Sequence, residues 1–165
     1  MLPTYLLLLR SSPTISLLRR PYRNLCVLSL SSEGTKACIP CAGMDESHLL
    51  PLATLPDLVS NRLPLWALAE DGKSISRTLV ARNFQAALDA MNDMGVIAEE
   101  QSHHPDFHLT SYRNVQVDIY THSLGGITEN DLILAQALDE VDVDYSPKWL
   151  KEHPEATKKA EKRSS

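Results

Sequence analysis

The sequence predicts an α+β fold, a four-stranded antiparallel sheet of two hairpins with helices packed on one face. Three observations carry this. Two pairs of short runs alternate apolar and polar residues, as half-buried strands do. Turn residues bridge each pair. Helical stripes of three- and four-residue period stand before, between and after the pairs. There is no Gly-rich phosphate loop, nucleophile elbow or internal repeat.

Residues 1–44 read as a transit peptide and flexible lead-in, 45–150 as the folded domain and 151–165 as a flexible charged tail with Lys158, Lys159, Lys162 and Arg163. The domain opens with Leu49, Leu50, Leu52, Leu55, Leu58 and Val59, spaced for a helix started or broken at Pro51 and Pro56. Leu65, Ala67 and Ala69 then alternate around Trp66 and Leu68. Glu70-Asp71-Gly72-Lys73 turns the chain, and Ile75, Arg77, Leu79 and Ala81 return. Asn83 is an N-cap for a helix with Phe84, Ala87, Leu88 and Met91 on one stripe, and Gly95 is its expected stop.

His104 precedes Pro105 and is held toward extended backbone. A strand follows, with Phe107, Leu109 and Ser111 on one face and His108, Thr110 and Tyr112 on the other. Arg113-Asn114 are the expected turn. Val115, Val117, Ile119 and Thr121 then alternate with Gln116, Asp118, Tyr120 and His122. Thr128 and Asp131 form a capping-box-like pair at the head of a last helix with the stripe Leu132, Ile133, Ala135, Gln136 and Leu138.

At 165 residues the chain suits one domain plus extensions. Its net charge of −5 combines +4 over residues 1–32, where Arg10, Arg19, Arg20 and Arg23 face no acid, with −9 over the rest. The acidic body argues against binding nucleic acid through bulk charge. The Leu-, Ser- and Arg-rich start has the composition of an organellar transit peptide, mitochondrial in preference to plastid because of Arg19, Arg20 and Arg23. No apolar run approaches the roughly 20 residues of a membrane span. The cysteines are Cys26, Cys38 and Cys41. Cys38-x-x-Cys41 suits a redox pair or half a zinc site. No second pair or neighbouring histidine in the sequence completes the metal spacing, so these thiols are read as dispensable to the chemistry.

Four of the six histidines fall between His103 and His122. Imidazole both gives and takes protons near neutral pH, so this stretch is the candidate for proton-transfer chemistry. Two other readings stand beside it: a zinc site in which Asp118 or Glu99 joins the imidazoles, and structural histidines without chemistry.

Glu99, three residues, His103-His104-Pro105, six residues, Tyr112, nine residues, His122, eight residues and Asp131 resemble the signature of the pterin-4a-carbinolamine dehydratase family. The resemblance covers about Asp45 to Leu150. Many members carry five residues, not six, between the proline and the aromatic.

The resemblance implies a hydro-lyase that converts 4a-hydroxytetrahydropterin to quinonoid dihydropterin and water during recycling of a tetrahydropterin cofactor. It implies no metal, nucleotide or other cofactor, and no covalent intermediate. His103, His104 and His122 are the implied catalytic residues, with His104 the general acid. Glu99, Pro105, Phe107, Thr121, Ser123 and Leu124 are the implied pterin contacts, Thr121, Ser123 and Leu124 through backbone, Phe107 as a flat wall and Glu99 orienting an imidazole. Asp131 is read chiefly as a cap. A homo-oligomer, dimer or tetramer, is also implied, since the last helix resembles one that pairs subunits in relatives. The alternatives are a binding module acting as a dimerisation cofactor in transcription, as animal members of the family do, and a His-ligated zinc hydrolase.

Overall fold

The computed structural model describes residues 37–41 and 43–156, all within one compact unit, Glu33–Ser165. The expected transit peptide (1–30), Cys26 and the lysines and arginine of the tail lie outside the described residues.

The expected helix, two strands, helix, two strands and helix are present in that order, with a short 3-10 turn before them and a further helix after them that the sequence did not predict. A short 3-10 turn, Glu46–His48, precedes helix α1, Leu55–Arg62. Strands β1, Ala67–Leu68, and β2, Ile75–Val80, follow, then helix α2, Phe84–Gln101. Strands β3, Asp106–Thr110, and β4, Asn114–Ile119, lead to helices α3, Glu129–Leu138, and α4, Pro147–Glu152.

The sheet is antiparallel throughout, in the order β1-β2-β4-β3, so the long strands of the two hairpins meet at its centre. Alternation decides the faces. Ile75, Arg77 and Leu79 of β2 and Val115, Val117 and Ile119 of β4 are buried, whereas Thr78, Asn114 and Gln116 between them are exposed. Onto the buried face pack Leu55 and Val59 of α1, Ala87, Ala90 and Met94 of α2, and Leu132, Leu134 and Leu138 of α3. Phe107 and Leu109 join this core from the edge strand. One charged pair sits inside it. Arg77 donates to Asp139 at 2.8 Å and to the Tyr145 hydroxyl at 2.7 Å, and the Trp66 indole donates to the same Asp139 oxygen at 2.9 Å.

Five local details depart from the sequence expectation. Helix α2 does not stop at Gly95 but continues to Gln101, because Met94 and Ala98 keep its stripe on the core and one interior glycine costs only about 1 kcal/mol. The second hairpin turns through residues 111–113, ahead of the expected Arg113-Asn114, and Asn114 already belongs to β4. Ser111 and Tyr112 take positive φ values of 47° and 58°, and Arg113 N–H donates to Thr110 O at 3.3 Å. Helix α3 spends its apolar residues on the chain's own core nearly all round, leaving Gln136 exposed and not on the buried stripe. The lead-in around Cys38 is bonded to α2 and α3, and the start of the tail is built in, with His153 stacked on Trp149 at 4.2 Å and Ala156 buried. Among the described residues no helix is long and apolar enough to cross a membrane.

Candidate active site

The end of α2 sets the geometry. Ser102 adopts the left-handed conformation with φ 50° and its N–H bonds back to Glu99 O, while His103 N–H reaches Ala98 O at 3.1 Å. This pair of bonds is the Schellman arrangement, here with serine where glycine is usual. The chain then leaves the helix extended, and consecutive side chains diverge. His103 turns inward and is buried; His104 turns outward and is exposed.

Each of the three candidate histidines meets its own carboxylate. His104 Nε2 lies 3.1 Å from Glu99 Oε1, an exposed pair at the last turn of α2. His103 Nε2 lies 2.8 Å from Asp131 Oδ1, both side chains being buried. His122 Nε2 lies 3.6 Å from Asp106 Oδ1, close enough for attraction and too long for a good hydrogen bond. The His122 ring also rests against Tyr120 at 4.1 Å. His108, outside the motif, pairs with Asp118 at 3.3 Å.

Asp131 does two jobs at once. As the third residue of α3 it completes the capping box, its Oδ2 accepting from Thr128 N–H at 2.6 Å and Thr128 Oγ at 3.0 Å. Thr121 Oγ donates to the same oxygen at 2.9 Å. The other oxygen is left for His103. The start of a helix favours a negative charge there.

The ladder between β3 and β4 ends at Asp106↔Asp118, so the His103–Pro105 segment and the Tyr120–Leu124 segment leave the same end of the sheet. Asp106 links them by reaching His122. Of the expected pterin contacts, Glu99 and Ser123 are exposed, Pro105 and Leu124 half-buried, and Phe107 lies on the core face opposite Val117. Thr121 is buried, its N–H bonded to Gly126 O and its O accepting from Leu124 and Gly125 N–H. Tyr112 stands exposed at the hairpin turn.

Two further residues belong to this constellation, Asp106, which the sequence did not single out, and Cys41, which it read as dispensable. Asp106 directly follows His-His-Pro, and its place two residues after His104 was the available signal. Cys41 has its Sγ 3.4 Å from His103 Nδ1, a contact no local pattern announces. Nearby, a cavity of about 340 Å³ is walled by Ala37, Ile39, Met44, His48, Thr128 and Asn130 among others. Among the described residues no three His, Cys, Asp or Glu side chains are grouped to hold a metal ion.

Comparison with known proteins bears on this arrangement. The profile of the family described as pterin 4 alpha carbinolamine dehydratase matches residues 50–141. A protein of Arabidopsis thaliana named pterin-4-alpha-carbinolamine dehydratase 2, mitochondrial, is 36% identical over 124 residues, which is 74% of this chain and 64% of that protein. The crystal structure of a transcriptional coactivator/pterin dehydratase from Brucella melitensis superposes with a TM-score of 0.50 at 26% identity, covering 55% of this chain and 95% of that one.

Proposed function

The chain belongs to the pterin-4-alpha-carbinolamine dehydratase family, and from that premise we propose that it dehydrates a 4a-hydroxytetrahydropterin to quinonoid dihydropterin by histidine acid-base catalysis, in recycling of a tetrahydropterin cofactor. The observation that carries the chemical reading is the pair of exposed imidazole–carboxylate contacts, His104–Glu99 and His122–Asp106, at one end of the sheet. In the reaction the lone pair of the ring nitrogen beside the carbinol carbon pushes out the 4a-hydroxyl. A proton from the His104 imidazolium lets that group leave as water. His122, as the neutral base, takes the proton from the nitrogen. Such help is typically worth about 10² to 10⁴ in rate. Glu99 and Asp106 orient the two rings. His103, with one nitrogen on Asp131 and the other facing Cys41, positions the segment that carries His104.

The test is a direct assay. Purified full chain is mixed with freshly generated 4a-hydroxytetrahydropterin, with and without a chelator, and quinonoid dihydropterin is followed by its absorbance. Turnover that survives chelation is expected. Turnover lost on chelation and restored by zinc would replace this mechanism with the zinc reading.

The same reading places the protein in the mitochondrion, supported by the basic, acid-free start of the sequence and the mitochondrial name of the Arabidopsis relative. A fluorescent fusion to the full chain tests it; nuclear signal would favour the binding-module reading, and plastid signal a different organelle. A homo-oligomer is part of the proposal on the family resemblance alone, and light scattering of the purified chain decides it.

A further inference from the structure

We propose that Cys41 and Cys38 form a reversible dithiol–disulfide site, in which Cys41 is a nucleophilic thiol activated by the buried His103–Asp131 pair and Cys38 is its resolving partner. This goes beyond the dehydration and does not depend on it.

The stretch that carries the thiols is fixed in place. Cys38 N–H donates to Gln101 Oε1 at 2.8 Å, and the Asn130 side chain grips the Ile39 peptide at two points, accepting from its N–H at 3.0 Å and donating to its carbonyl at 2.8 Å. The same asparagine touches both sulfurs. Cys38 Sγ donates to Asn130 O at 3.5 Å, and Asn130 Nδ2 donates to Cys41 Sγ at 3.5 Å. Two half-buried thiols separated by Ile39 and Pro40 are thus brought to one buried residue. A disulfide needs Cα atoms about 4.4–6.8 Å apart, which two intervening residues allow.

The two sulfurs have different surroundings. His103 Nε2 faces a carboxylate and therefore carries a proton, which leaves Nδ1 as the acceptor for the Cys41 thiol at 3.4 Å. Nucleophile, base and a carboxylate that orients the base stand in sequence: Cys41, His103, Asp131. That is the arrangement by which a thiol is activated. Asn130 Nδ2 supplies a further donor to the sulfur. Among the described residues Cys38 meets no such base, and burial, with Cys41 and Asp131 nearby, pushes its thiol up to about 11, so it waits as the protonated partner.

The oxidant is a small disulfide of the glutathione class. His103 Nδ1 takes the Cys41 proton, and Sγ attacks one sulfur of the oxidant. The S–S bond breaks, a mixed disulfide forms on Cys41, and the first thiolate leaves with the proton from His103. Cys38 then gives up its proton and attacks Cys41 Sγ, expelling the second thiolate, which takes that proton. Two electrons have passed to the oxidant, which departs as two thiols.

The experiment exposes reduced full chain to glutathione disulfide and maps its peptides by mass spectrometry, which keeps Cys26 out of the count. The expected product is a Cys38–Cys41 disulfide lighter by two hydrogens. Cys38→Ser should trap glutathione on Cys41, whereas in Cys41→Ser the Cys38 thiol should react at least roughly tenfold more slowly. In the Cys38→Ser background, His103→Gln should slow capture at Cys41 by a similar factor. Equal rates at the two thiols in the single variants, or no internal disulfide in the wild-type chain, would overturn the proposal. So would a capture rate indifferent to His103→Gln in protein with an unchanged melting curve. If that variant does not fold, the comparison of the two thiols decides.

Discussion

His103 and Asp131, 28 residues apart in sequence, meet at 2.8 Å with side chains only 5% and 0% exposed, and this contact ties the end of α2 to the start of α3. The carboxylate also accepts from Thr128 N–H, Thr128 Oγ and Thr121 Oγ, so removing it strands buried polar groups on three segments. Asp131→Ala should therefore cost about 3–5 kcal/mol. Asp131→Asn, which keeps the shape and loses the charge, should cost less, about 1–3 kcal/mol. Urea unfolding of both variants measures this, and a wild-type midpoint for Asp131→Ala would show that the network contributes nothing.

His104 and Glu99 make the opposite case. Their side chains are 59% and 79% exposed, and an exposed pair is worth about 0–1 kcal/mol. His104→Ala should leave the melting curve in place and lower the dehydration rate at least roughly tenfold, the lower end of general acid-base help. Glu99→Gln should give a smaller loss in the same assay. An active His104→Ala enzyme would remove the general acid from the proposed mechanism.

The half-buried Arg77–Tyr145 contact ties stability to alkaline pH. Burial raises the Tyr145 phenol above its ordinary value, with Arg77 pulling the other way. A folded-state value above the unfolded one means that the folded chain holds its proton longer. The stabilisation is complete below the unfolded value of about 10 and is lost as pH rises through the folded value. Cys38 contributes with the same sign, so the measurement belongs in a Cys38→Ser background. There the urea midpoint should fall above about pH 10, and Tyr145→Phe should flatten that fall. At neutral pH Tyr145→Phe should itself cost about 1–3 kcal/mol by leaving an Arg77 donor without its acceptor. An alkaline limb identical with and without the phenol would sink this assignment.

The two hairpins, the helix order and the Thr128–Asp131 capping box were legible because each rests on local pattern: period two, period three to four, and a three-residue cap spacing. What escaped was set by tertiary contact. Nothing local carries α2 past Gly95; the burial of Met94 and Ala98 does. Ser102 ends the helix in a conformation usually given to glycine or asparagine, so its sequence carries no stop signal. In the site, the spacing of Glu99, His103, His104 and Asp131 was readable. The docking of Cys41 on His103 was not, since residues 37–41 are held by Asn130 and Gln101 and not by an apolar stripe.

The turn between β3 and β4 offers a stabilising change. In the three-residue loop between the paired Thr110 and Asn114, Ser111 and Tyr112 both sit at positive φ, where glycine and then asparagine are favoured. Each non-glycine residue there costs roughly 1–2 kcal/mol. Against relief of that strain stand the greater freedom of an unfolded glycine, about 0.4–1 kcal/mol, and the Arg113 guanidinium 5.5 Å from the Tyr112 ring, worth about 0.5–1 kcal/mol at an exposed site. Full relief at Tyr112, with partial relief at Ser111 because asparagine tolerates this region better than serine, exceeds these losses. Ser111→Asn with Tyr112→Gly should raise stability by about 1 kcal/mol. Tyr112 is 60% exposed at the hairpin turn and has no part in the proposed mechanism, so the dehydration rate should not change. A lowered melting temperature would mean that the tyrosine ring holds the hairpin more strongly than its backbone strains it.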